Sequence, residues 1–335
     1  MWTACMMRST RDRYDCVLKS MDVRQLRYFV SIVDFGSLGK AAEKLFVAQP
    51  SLSQQMARLE DELGVPLLLR SNHGVTPTAE GDALYRHARL VLKQMEQLKQ
   101  EVMKGVGVES GTVALGLPTT MASVLAVPLF ERIQDRYPGI RLQFFETMSG
   151  YLNELLANGR LDLGILFRES DTPGITALPV MDETLYLFGE PGGAISPHRS
   201  TCPLADLSGI PMVAPGASNG LRLLLERTFL SEKVDLNIVA DIDSLPSMLL
   251  IANSGRACTI LPGSAVAQWH RSRLPKMRKI VEPLIRRPAS ICWPNGVPIH
   301  SATIAVRETL MDLIKEQVVQ NAWKGVTLRE PKADK

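Results

Sequence analysis

Residues 41–55 read AAEKLFVAQPSLSQQ, and this stretch decides the interpretation of the N-terminal region. The small side chains of Ala41 and Ala42 let another helix approach closely, and a short turn at residues 46–48 follows. Gln49-Pro50 suits the first turn of a helix, because proline has no N–H group to leave unpaired there. That helix carries apolar side chains three or four residues apart on one side, namely Leu52, Met56, Leu59 and Leu63. Two short helices joined by a tight turn are typical of a helix-turn-helix.

The other side of the second helix is polar. Pro50, Ser51, Gln54 and Arg58 lie away from the apolar stripe in a helical projection. Such groups can read base edges or bind phosphates in a major groove, so double-stranded DNA is the predicted partner. A small helical bundle with a solvated polar side is the alternative interpretation.

The flanking sequences complete a winged helix-turn-helix domain, predicted over residues 21–81. A helix with one apolar side, at residues 22–33, precedes the quoted stretch. Two short strands around a turn follow it at residues 67–77, and they predict a wing. Arg70 and His73 in this wing are expected near backbone phosphates.

Composition places the chain among globular proteins and excludes several other classes. Its 335 residues are more than one core usually spans, and 45% of them are hydrophobic, so two or more folded domains are expected. No apolar run is long enough to cross a bilayer, and residues 1–20 lack the apolar centre of an export signal. The sequence therefore predicts a cytoplasmic protein with no membrane partner, preceded by a disordered leader at residues 1–20.

Charge alone does not predict nucleic-acid binding. The net charge is +3, and residues 21–81 contain six basic side chains against seven acidic ones. The prediction of DNA binding therefore depends on the arrangement of the helices.

The five cysteines lie far apart and form neither a C-x-x-C pair nor a cysteine–histidine group with zinc-ligand spacing. No metal site and no cofactor are predicted, and a redox switch between distant thiols is an alternative. The sequence also lacks a phosphate loop, a G-x-G-x-x-G turn and a G-x-S-x-G nucleophile elbow. No catalytic residue is predicted, and the chain is not expected to be an enzyme.

A long linker helix is predicted over residues 78–104, with Thr78 as its cap. Its apolar positions recur at alternating steps of four and three residues, a heptad pattern, and they are Leu84, Ala88, Val91, Met95, Leu98 and Val102. Pairing with a second copy would bury this stripe, and a two-fold dimer suits paired DNA half-sites. Packing of the stripe on its own domain is the alternative. A flexible hinge is expected at the glycines and serine that follow, Gly105, Gly107, Ser110 and Gly111.

From residue 112 to residue 323 the pattern alternates between strands and helices, which predicts an α/β domain with a parallel sheet. The first helix of this pattern is predicted over residues 123–137. The alternation is repeated from residue 212 to residue 261, and a last helix at residues 301–323 is expected to return to the first lobe. Two such lobes joined by crossing strands would resemble a periplasmic binding protein, with a cleft between the lobes. Residues 324–335 are expected to form a disordered tail.

Ligands of such folds bind at strand ends and helix N-termini. The candidate lining residues, chosen by position, follow a strand or precede a helix: Pro118, Thr119, Thr120, Ser218, Asn219 and Ser244. Backbone N–H groups and hydroxyls there suit a carboxylate or another small anion. Ordinary N-capping is the alternative explanation of each hydroxyl.

The sequence resembles the LysR-type transcriptional regulators, most strongly over residues 21–81 and more loosely to about residue 323. The matching stretches are AAEKL at residues 41–45, AQPSLS at residues 48–53, EDELGV at residues 60–65 and TAEG at residues 78–81. The resemblance implies base and phosphate contacts by Gln49, Pro50, Ser53 and Gln54. Gln54 departs from the arginine that is common in the family at its position, and Leu68 replaces a usual phenylalanine.

The resemblance also implies binding to interrupted palindromic promoter sites as a homodimer or homotetramer. RNA polymerase is a further candidate partner, and an effector is expected in the cleft near Thr119, Thr120 and Ser218. Within the family the sequence is most similar to the nitrogen assimilation control subgroup, on residues 33–38, 48–55 and 74–78. That likeness implies a role in nitrogen assimilation and regulation without a small coinducer. A pure small-molecule binding protein and a thiol-based redox regulator are the alternative functions.

Overall fold

The computed structural model describes residues 21–72, 74–104, 109–190, 199–269, 275–295, 298–320 and 323–329. The chain divides into two compact units, of which the first ends at Lys104 and the second begins at Gly105. Several sequence-based expectations lie outside the described residues, namely the leader at residues 1–20, His73 of the wing, and Gly105 and Gly107 of the hinge.

The first unit is a winged helix-turn-helix followed by a long helix, as predicted. Its elements are α1 (Val23–Phe35), α2 (Leu38–Leu45), α3 (Gln49–Leu63), β1 (Leu68–Ser71), β2 (Gly74–Pro77) and α4 (Ala79–Lys104). Local capping signals determine where the helices begin and end. Asp22 and Gln25 form a capping box at the start of α1, and Gly36 ends α1 in the left-handed region with a φ of 59°. Ser37 then caps α2 by accepting a hydrogen bond from Lys40 N.

One hydrophobic core joins the three short helices, the wing and the beginning of α4. Leu52, Met56 and Leu59 are buried in it as predicted, whereas Leu63 is 41% exposed. Leu63 is the last residue of α3, and Gly64 follows it in the left-handed conformation. The chain leaves the helix there, so this fourth position of the stripe does not reach the core.

The long helix α4 is buried over its beginning and exposed beyond it. Thr78 caps it and accepts a hydrogen bond from Gly81 N at 2.9 Å. The backbone of Gly81 packs closely against the chain at the start of the wing. A Cβ on Gly81 would lie 2.1 Å from the Leu67 carbonyl oxygen, so a larger residue would clash there. Ala88 is buried in the core and Leu84 packs against it, so packing on its own domain is correct for these two positions. The remaining apolar positions of the stripe are exposed, namely Val91, Met95, Leu98 and Val102.

The first lobe of the second unit has the predicted parallel order, with β3 between β4 and β5. Its elements are β3 (Gly111–Leu117), α5 (Thr119–Arg136), β4 (Ile140–Glu146), α6 (Ser149–Ala157) and β5 (Leu163–Leu166). Helix α9 (Ser301–Val319) returns to the core of this lobe, as expected.

The second lobe lies between two long crossing strands, β6 (Ile175–Phe188) and β12 (Arg286–Pro294), which pair antiparallel. Its own elements are β7 (Thr201–Pro203), β8 (Met212–Ala214), α7 (Gly220–Ser231), β9 (Ile238–Asp241), α8 (Leu245–Asn253), β10 (Thr259–Pro262) and β11 (Met277–Val281). Strand β6 contributes Met181 to the first lobe's core and Phe188 to the second lobe's core. The structure therefore confirms two lobes joined by crossing strands, and the likeness to a periplasmic binding protein is one of architecture.

Two boundaries differ from the sequence-based expectation. Helix α5 begins at Thr119 rather than at Ser123, with Pro118 as its extended N-cap, so Thr119 and Thr120 belong to its first turn. Ser110 is buried and Gly111 opens β3. Neither residue is therefore part of a flexible hinge.

The expected disordered tail instead contains a strand. Strand β13 (Val326–Leu328) pairs antiparallel with β6, next to the junction of the two lobes. Arg329 extends this contact by donating hydrogen bonds to the carboxylates of Asp182 and Glu169. The expectation of disorder fails for residues 324–329, because backbone pairing with a distant strand orders them. Residues 330–335 lie outside the described residues.

Across the described ranges, no helix combines the length and the apolar character that crossing a membrane requires.

Candidate nucleic-acid interface and ligand cleft

The polar side of α3 is open to solvent. Ser53 is half-buried, and the other residues predicted on this side are exposed, namely Gln49, Pro50, Ser51, Gln54 and Arg58. The opposite side is held in the core by three buried apolar side chains. The helix therefore presents all six predicted residues to the outside.

The N-terminal end of α3 adds backbone donors to this side. Ala48 is the N-cap and makes no side-chain hydrogen bond, so within the described residues the first N–H groups of the helix have no side-chain cap. These groups carry the partial positive charge of a helix N-terminus, which suits a phosphate oxygen.

The wing strand β1 is tied to α3 at two points. Glu60 accepts hydrogen bonds at Oε1 from Leu67 N at 2.8 Å and from Leu68 N at 3.1 Å. Nearer the helix N-terminus, Arg70 Nη1 donates to Ser53 Oγ at 3.0 Å. The structure thus brings together two predicted DNA-contacting residues that lie 17 positions apart in the chain.

A polar cluster fastens α4 to α1. Tyr85 donates from its hydroxyl to Asp34 Oδ1, and Arg89 Nη1 lies 3.2 Å from Asp34 Oδ2. Burial raises the pKa of Tyr85, and its hydrogen bond to the Asp34 carboxylate raises that pKa further. The beginning of α4 is therefore held on the helix-turn-helix, while Leu98 and Val102 beyond it are 62% and 78% exposed.

A cleft with a volume of about 50 Å³ lies between the two lobes of the second unit. Pro118, Thr119, Thr120 and Asn219 line it, as predicted. Ser218 and Ser244 are not among its lining residues. Ser244 instead caps α8 by accepting a hydrogen bond from Ser247 N, so N-capping explains that hydroxyl.

Four helices, α5 to α8, begin at this cleft. The N-caps of α5 and α6, Pro118 and Met148, make no side-chain hydrogen bond to the helix. Asn219 caps α7 with its side-chain oxygen, so only the first lobe leaves the N–H groups of its helix ends without a side-chain acceptor. The lobes approach closely here, since a Cβ on Gly220 would lie 3.9 Å from Ser149 Oγ.

An arginine on a crossing strand reaches the cleft. Arg287 is 6% exposed and forms an ion pair with Glu183, which is 1% exposed. Its guanidinium carbon lies 3.4 Å from the centre of the Phe167 ring, and its Nη2 lies 3.5 Å from Thr120 Oγ1. Ser264 donates a hydrogen bond to the other Glu183 oxygen at 2.9 Å. The charge of Arg287 is thus balanced inside the protein.

Sequence reasoning missed several lining residues, for two different reasons. Thr147 and Ser149 follow β4 just as Pro118 follows β3, so the same rule of strand ends would have found them. Phe167 follows β5 in the same way. Arg287 lies within β12 and carries no such signal, because only the pairing of distant strands brings it to the cleft.

The thiols of the second unit are poorly suited to redox sensing. Cys202, Cys258 and Cys292 are free and buried. Burial raises the pKa of Cys202 and of Cys258 to about 11 and that of Cys292 to about 12. Thiol exchange requires a thiolate, so these environments disfavour it. Cys5 and Cys16 lie outside the described residues. Among the described side chains, no group of three or more could hold a metal ion.

Two family models match the chain, one to each unit. "Bacterial regulatory helix-turn-helix protein, lysR family" matches residues 23–82, and "LysR substrate binding domain" matches residues 107–315. The chain belongs to the LysR family. It is a LysR-type DNA-binding transcriptional regulator with an effector-binding domain.

Relatives of this LysR-type regulator match it over most of its length. The nitrogen assimilation regulatory protein nac of Escherichia coli K12 is 33% identical over 312 residues, which cover 92% of this chain and 100% of that protein. The HTH-type transcriptional regulator BbuR of Bordetella bronchiseptica is 30% identical and covers 74% of this chain and 76% of its own. These relatives are transcription regulators, and the resemblance predicted from the sequence is confirmed.

Solved structures share the fold of this LysR-type regulator. A full-length OxyR variant from Pseudomonas aeruginosa has a TM-score of 0.71 and 24% identity, and covers 93% of this chain and 99% of its own. Full-length CbnR, complexed with its target DNA, has a TM-score of 0.51 and 23% identity, and covers 88% of this chain and 99% of its own. Regulators of this family bind promoter DNA as oligomers.

Proposed function

We propose that the exposed side of α3 enters the major groove of promoter DNA. Gln49, Pro50, Ser51, Ser53, Gln54 and Arg58 face bases and phosphates, and Arg70 and His73 face the flanking backbone. One observation carries this proposal: the polar side of α3 is exposed while its apolar side is buried. The uncapped N-terminus of α3 supports it further, because the free N–H groups suit a phosphate.

We propose that two copies pair through the exposed end of the α4 stripe. The heptad spacing and the exposure of Leu98 and Val102 support this pairing. A two-fold dimer of helix-turn-helix units fits an interrupted palindrome whose half-sites are about one DNA turn apart. A tetramer built from two such dimers would occupy two sites. We assign residues 21–81 to DNA binding, residues 78–104 to pairing of two copies, and residues 112–323 to effector sensing. We place the protein in the cytoplasm, where promoter DNA is found.

The relatives named nac support a role in nitrogen assimilation for this chain. We also propose RNA polymerase as a partner at the promoter. An effector of the cleft would be a small organic anion with an apolar body. The uncapped N-termini of α5 and α6 would meet its charge, and Phe167 and Met248 would contact its body. Regulation without an effector is the second candidate. The ion pair of Arg287 with Glu183 favours it, because an incoming anion would have to compete with that carboxylate.

The test of the α3 proposal is a gel-shift titration with the promoter region beside the chain's own gene. Gln49→Ala should lower the discrimination between the cognate site and a site with one altered base pair by about 1–3 kcal/mol, the value of a bidentate base contact. Gln143→Ala, an exposed glutamine of β4 in the other unit, is the matched control. An unchanged base preference in Gln49→Ala would contradict this role.

The cleft is tested separately by thermal melting with a panel of small carboxylates. An anion that binds the folded protein raises its melting temperature by mass action. Thr120→Val should remove the response, because Thr120 lies in the first turn of α5 at the cleft. If no carboxylate of the panel raises the melting temperature, regulation without such an effector is supported.

A further inference from the structure

The described end of the chain, residues 323–329, lies at the junction of the two lobes, and we call it the C-terminal strap. It lies beyond residue 315, where the match to the LysR substrate binding domain ends. Trp323 is 3% exposed in the core of the first lobe, and Val326 packs against the same core. One side of the strap is therefore fixed to the first lobe.

The strap also contacts the second lobe. A Cβ on Gly263, which follows β10, would lie 2.5 Å from the carbonyl oxygen of Lys324. A Cβ on Gly325 would lie 2.5 Å from the hydroxyl oxygen of Tyr186, a residue of the second lobe's core. These close approaches require glycine at both positions. The strap thus touches both lobes at the place where they join.

The strand of the strap, β13, pairs with β6 beside an irregularity of the crossing strands. The register between β6 and β12 shifts between Ala289 and Ser290, which makes Val180 an extra residue on β6. Such a bulge interrupts the ladder and lets a strand bend. The carbonyl oxygen of Val180 accepts a hydrogen bond from Arg329 N at 3.0 Å. Since lobes joined by strands change their angle at a few hinge residues, the strap holds β6 where bending is easiest.

The side chain of Arg329 links the same point to the wall of the cleft. It donates hydrogen bonds to Asp182 Oδ2 on β6 at 2.9 Å and to Glu169 Oε1 at 2.6 Å. Glu169 follows Phe167, a lining residue of the cleft, by two positions. Arg329 therefore connects the crossing strand with the loop of the first lobe that forms part of the cleft.

The cleft between the lobes is small. Its volume of about 50 Å³ is far below the roughly 300–1,000 Å³ of pockets that enclose drug-sized ligands. The lobes also meet near Gly263, where Ser123 Oγ on α5 donates a hydrogen bond to the carbonyl oxygen of Ser264. A molecule larger than the cleft can therefore enter only when the lobes move apart.

We propose that the C-terminal strap restrains the two lobes from separating and so controls access to the cleft. Pairing of β13 with β6 and the hydrogen bonds of Arg329 oppose bending at Val180. Release of the strap frees this point and lets the cleft open. The inference concerns the second unit alone and does not depend on the proposed DNA contact of α3.

The reactivity of a thiol placed in the cleft measures how often the lobes separate. Thr120→Cys puts a sulfur of similar size at a lining position that is 9% exposed. An aromatic disulfide reagent is too large for the closed cleft, so its reaction rate follows the population of the open state. The full-length chain is used, with Cys5 and Cys16 replaced by serine. The buried thiols of Cys258 and Cys292 report unfolding of the second and first lobes.

Thr327→Pro removes a backbone bond of the strap to β6. Alternate residues of an antiparallel strand direct their N–H groups at the partner. Arg329 N donates to β6, so Thr327 N faces β6 and Leu328 N faces away. Thr327→Pro should raise the rate at the introduced thiol by about two- to tenfold, the range of one neutral hydrogen bond. The rates at Cys258 and Cys292 should not change.

Two further variants sharpen the test. Leu328→Pro is the matched control and should leave all rates unchanged, because proline is tolerated where an edge strand turns its N–H group to solvent. Arg329→Ala keeps the backbone pairing and removes the side-chain links to Asp182 and Glu169, so it should also raise the rate at the introduced thiol.

Three results would overturn the inference. The first is an unchanged rate at the introduced thiol in both Thr327→Pro and Arg329→Ala. The second is an equal rise at Cys258 and Cys292, because the strap would then stabilise the whole unit instead of restraining its lobes. The third is a rise of the same size in Leu328→Pro, which would show that pairing with β6 is not the cause.

Discussion

Arg70 and Arg287 each stand at the centre of a candidate site, but their surroundings are opposite. Arg70 is exposed, donates one hydrogen bond to Ser53 and forms no ion pair within the described residues. Arg287 is 6% exposed, paired with Glu183 and stacked on Phe167. Removing an ion from water costs several kcal/mol, so a buried arginine needs an internal partner. An exposed one remains hydrated and can exchange that hydration for a phosphate.

The exposed apolar side chains of the two units differ in arrangement. The second unit buries apolar residues in the cores of its two lobes, and exposed apolar side chains such as Val127, Leu230 and Val319 lie on separate helices. The first unit leaves the far end of the α4 stripe exposed, at Val91, Met95, Leu98 and Val102. The first unit therefore presents a polar side on α3 and a regularly spaced apolar stripe on α4 to a partner outside the chain.

The contrast between the exposed Arg70 and the buried Arg287 can be tested by substitution. The largest effect on stability is expected from Glu183→Gln. The change removes the charge that balances Arg287 and should lower the free energy of unfolding of the second unit by about 3–5 kcal/mol. Trp269, Trp293 and Trp323 all belong to this unit, so tryptophan fluorescence during urea unfolding reports on it.

Glu316→Gln is the matched control, because Glu316 pairs with Arg132 at the surface, and little change is expected there. Replacing both buried partners, Glu183→Leu with Arg287→Met, should restore much of the lost stability, since no unpaired charge remains. Equal stability of Glu183→Gln and Glu316→Gln would show that the buried pair is not needed.

A smaller effect is expected from Leu98→Ala in the linker helix. If a second copy covers this side chain, the truncation should weaken association by about 2 kcal/mol per copy, the value of burying a leucine. Sedimentation equilibrium measures the dissociation constant. Leu63→Ala, at the exposed end of α3, is the control and should leave association unchanged. The same dissociation constant in all three proteins would show that α4 does not pair through Leu98.

At neutral pH the smallest effect is expected for the buried thiols, because their ionisation affects stability only in alkaline solution. Burial raises the pKa of Cys258 from its ordinary value of 9.0 to about 11, and that of Cys202 likewise. The folded state therefore holds its protons more tightly than the unfolded state. The stabilising contribution is complete below pH 9 and is lost as the pH rises from about 9 to about 11.

The urea midpoint of the second unit should accordingly fall over this range. A variant with Cys202→Ala and Cys258→Ala should show a shallower fall, although it starts from a lower stability. If the urea midpoints of the two proteins fell equally with pH, ionisation of these two thiols would not be the cause of the fall.

The candidate DNA-binding side was predictable from local sequence, and the cleft only in part. The bounds of α3 follow from Pro50 at its start and Gly64 at its end, signals that act within one turn of the helix. Thr119 and Thr120 were found from the rule of strand ends, although the helix that contains them begins earlier than predicted. Ser218 and Ser244 satisfied the same rule and still do not line the cleft, because position along the chain does not determine which way a loop faces.

By itself the sequence determined the order of helices and strands, the winged helix-turn-helix and the family, because periodicity, caps and turns are interactions between near neighbours. Only the tertiary structure decided the placement of Arg70 against Ser53, the strand at residues 326–328 and the ion pair of Arg287 with Glu183. Glu183 and Arg287 lie 104 positions apart, and only the pairing of β6 with β12 makes them neighbours. Contacts of this range depend on which strands pair, and no periodicity of either strand encodes the register between them.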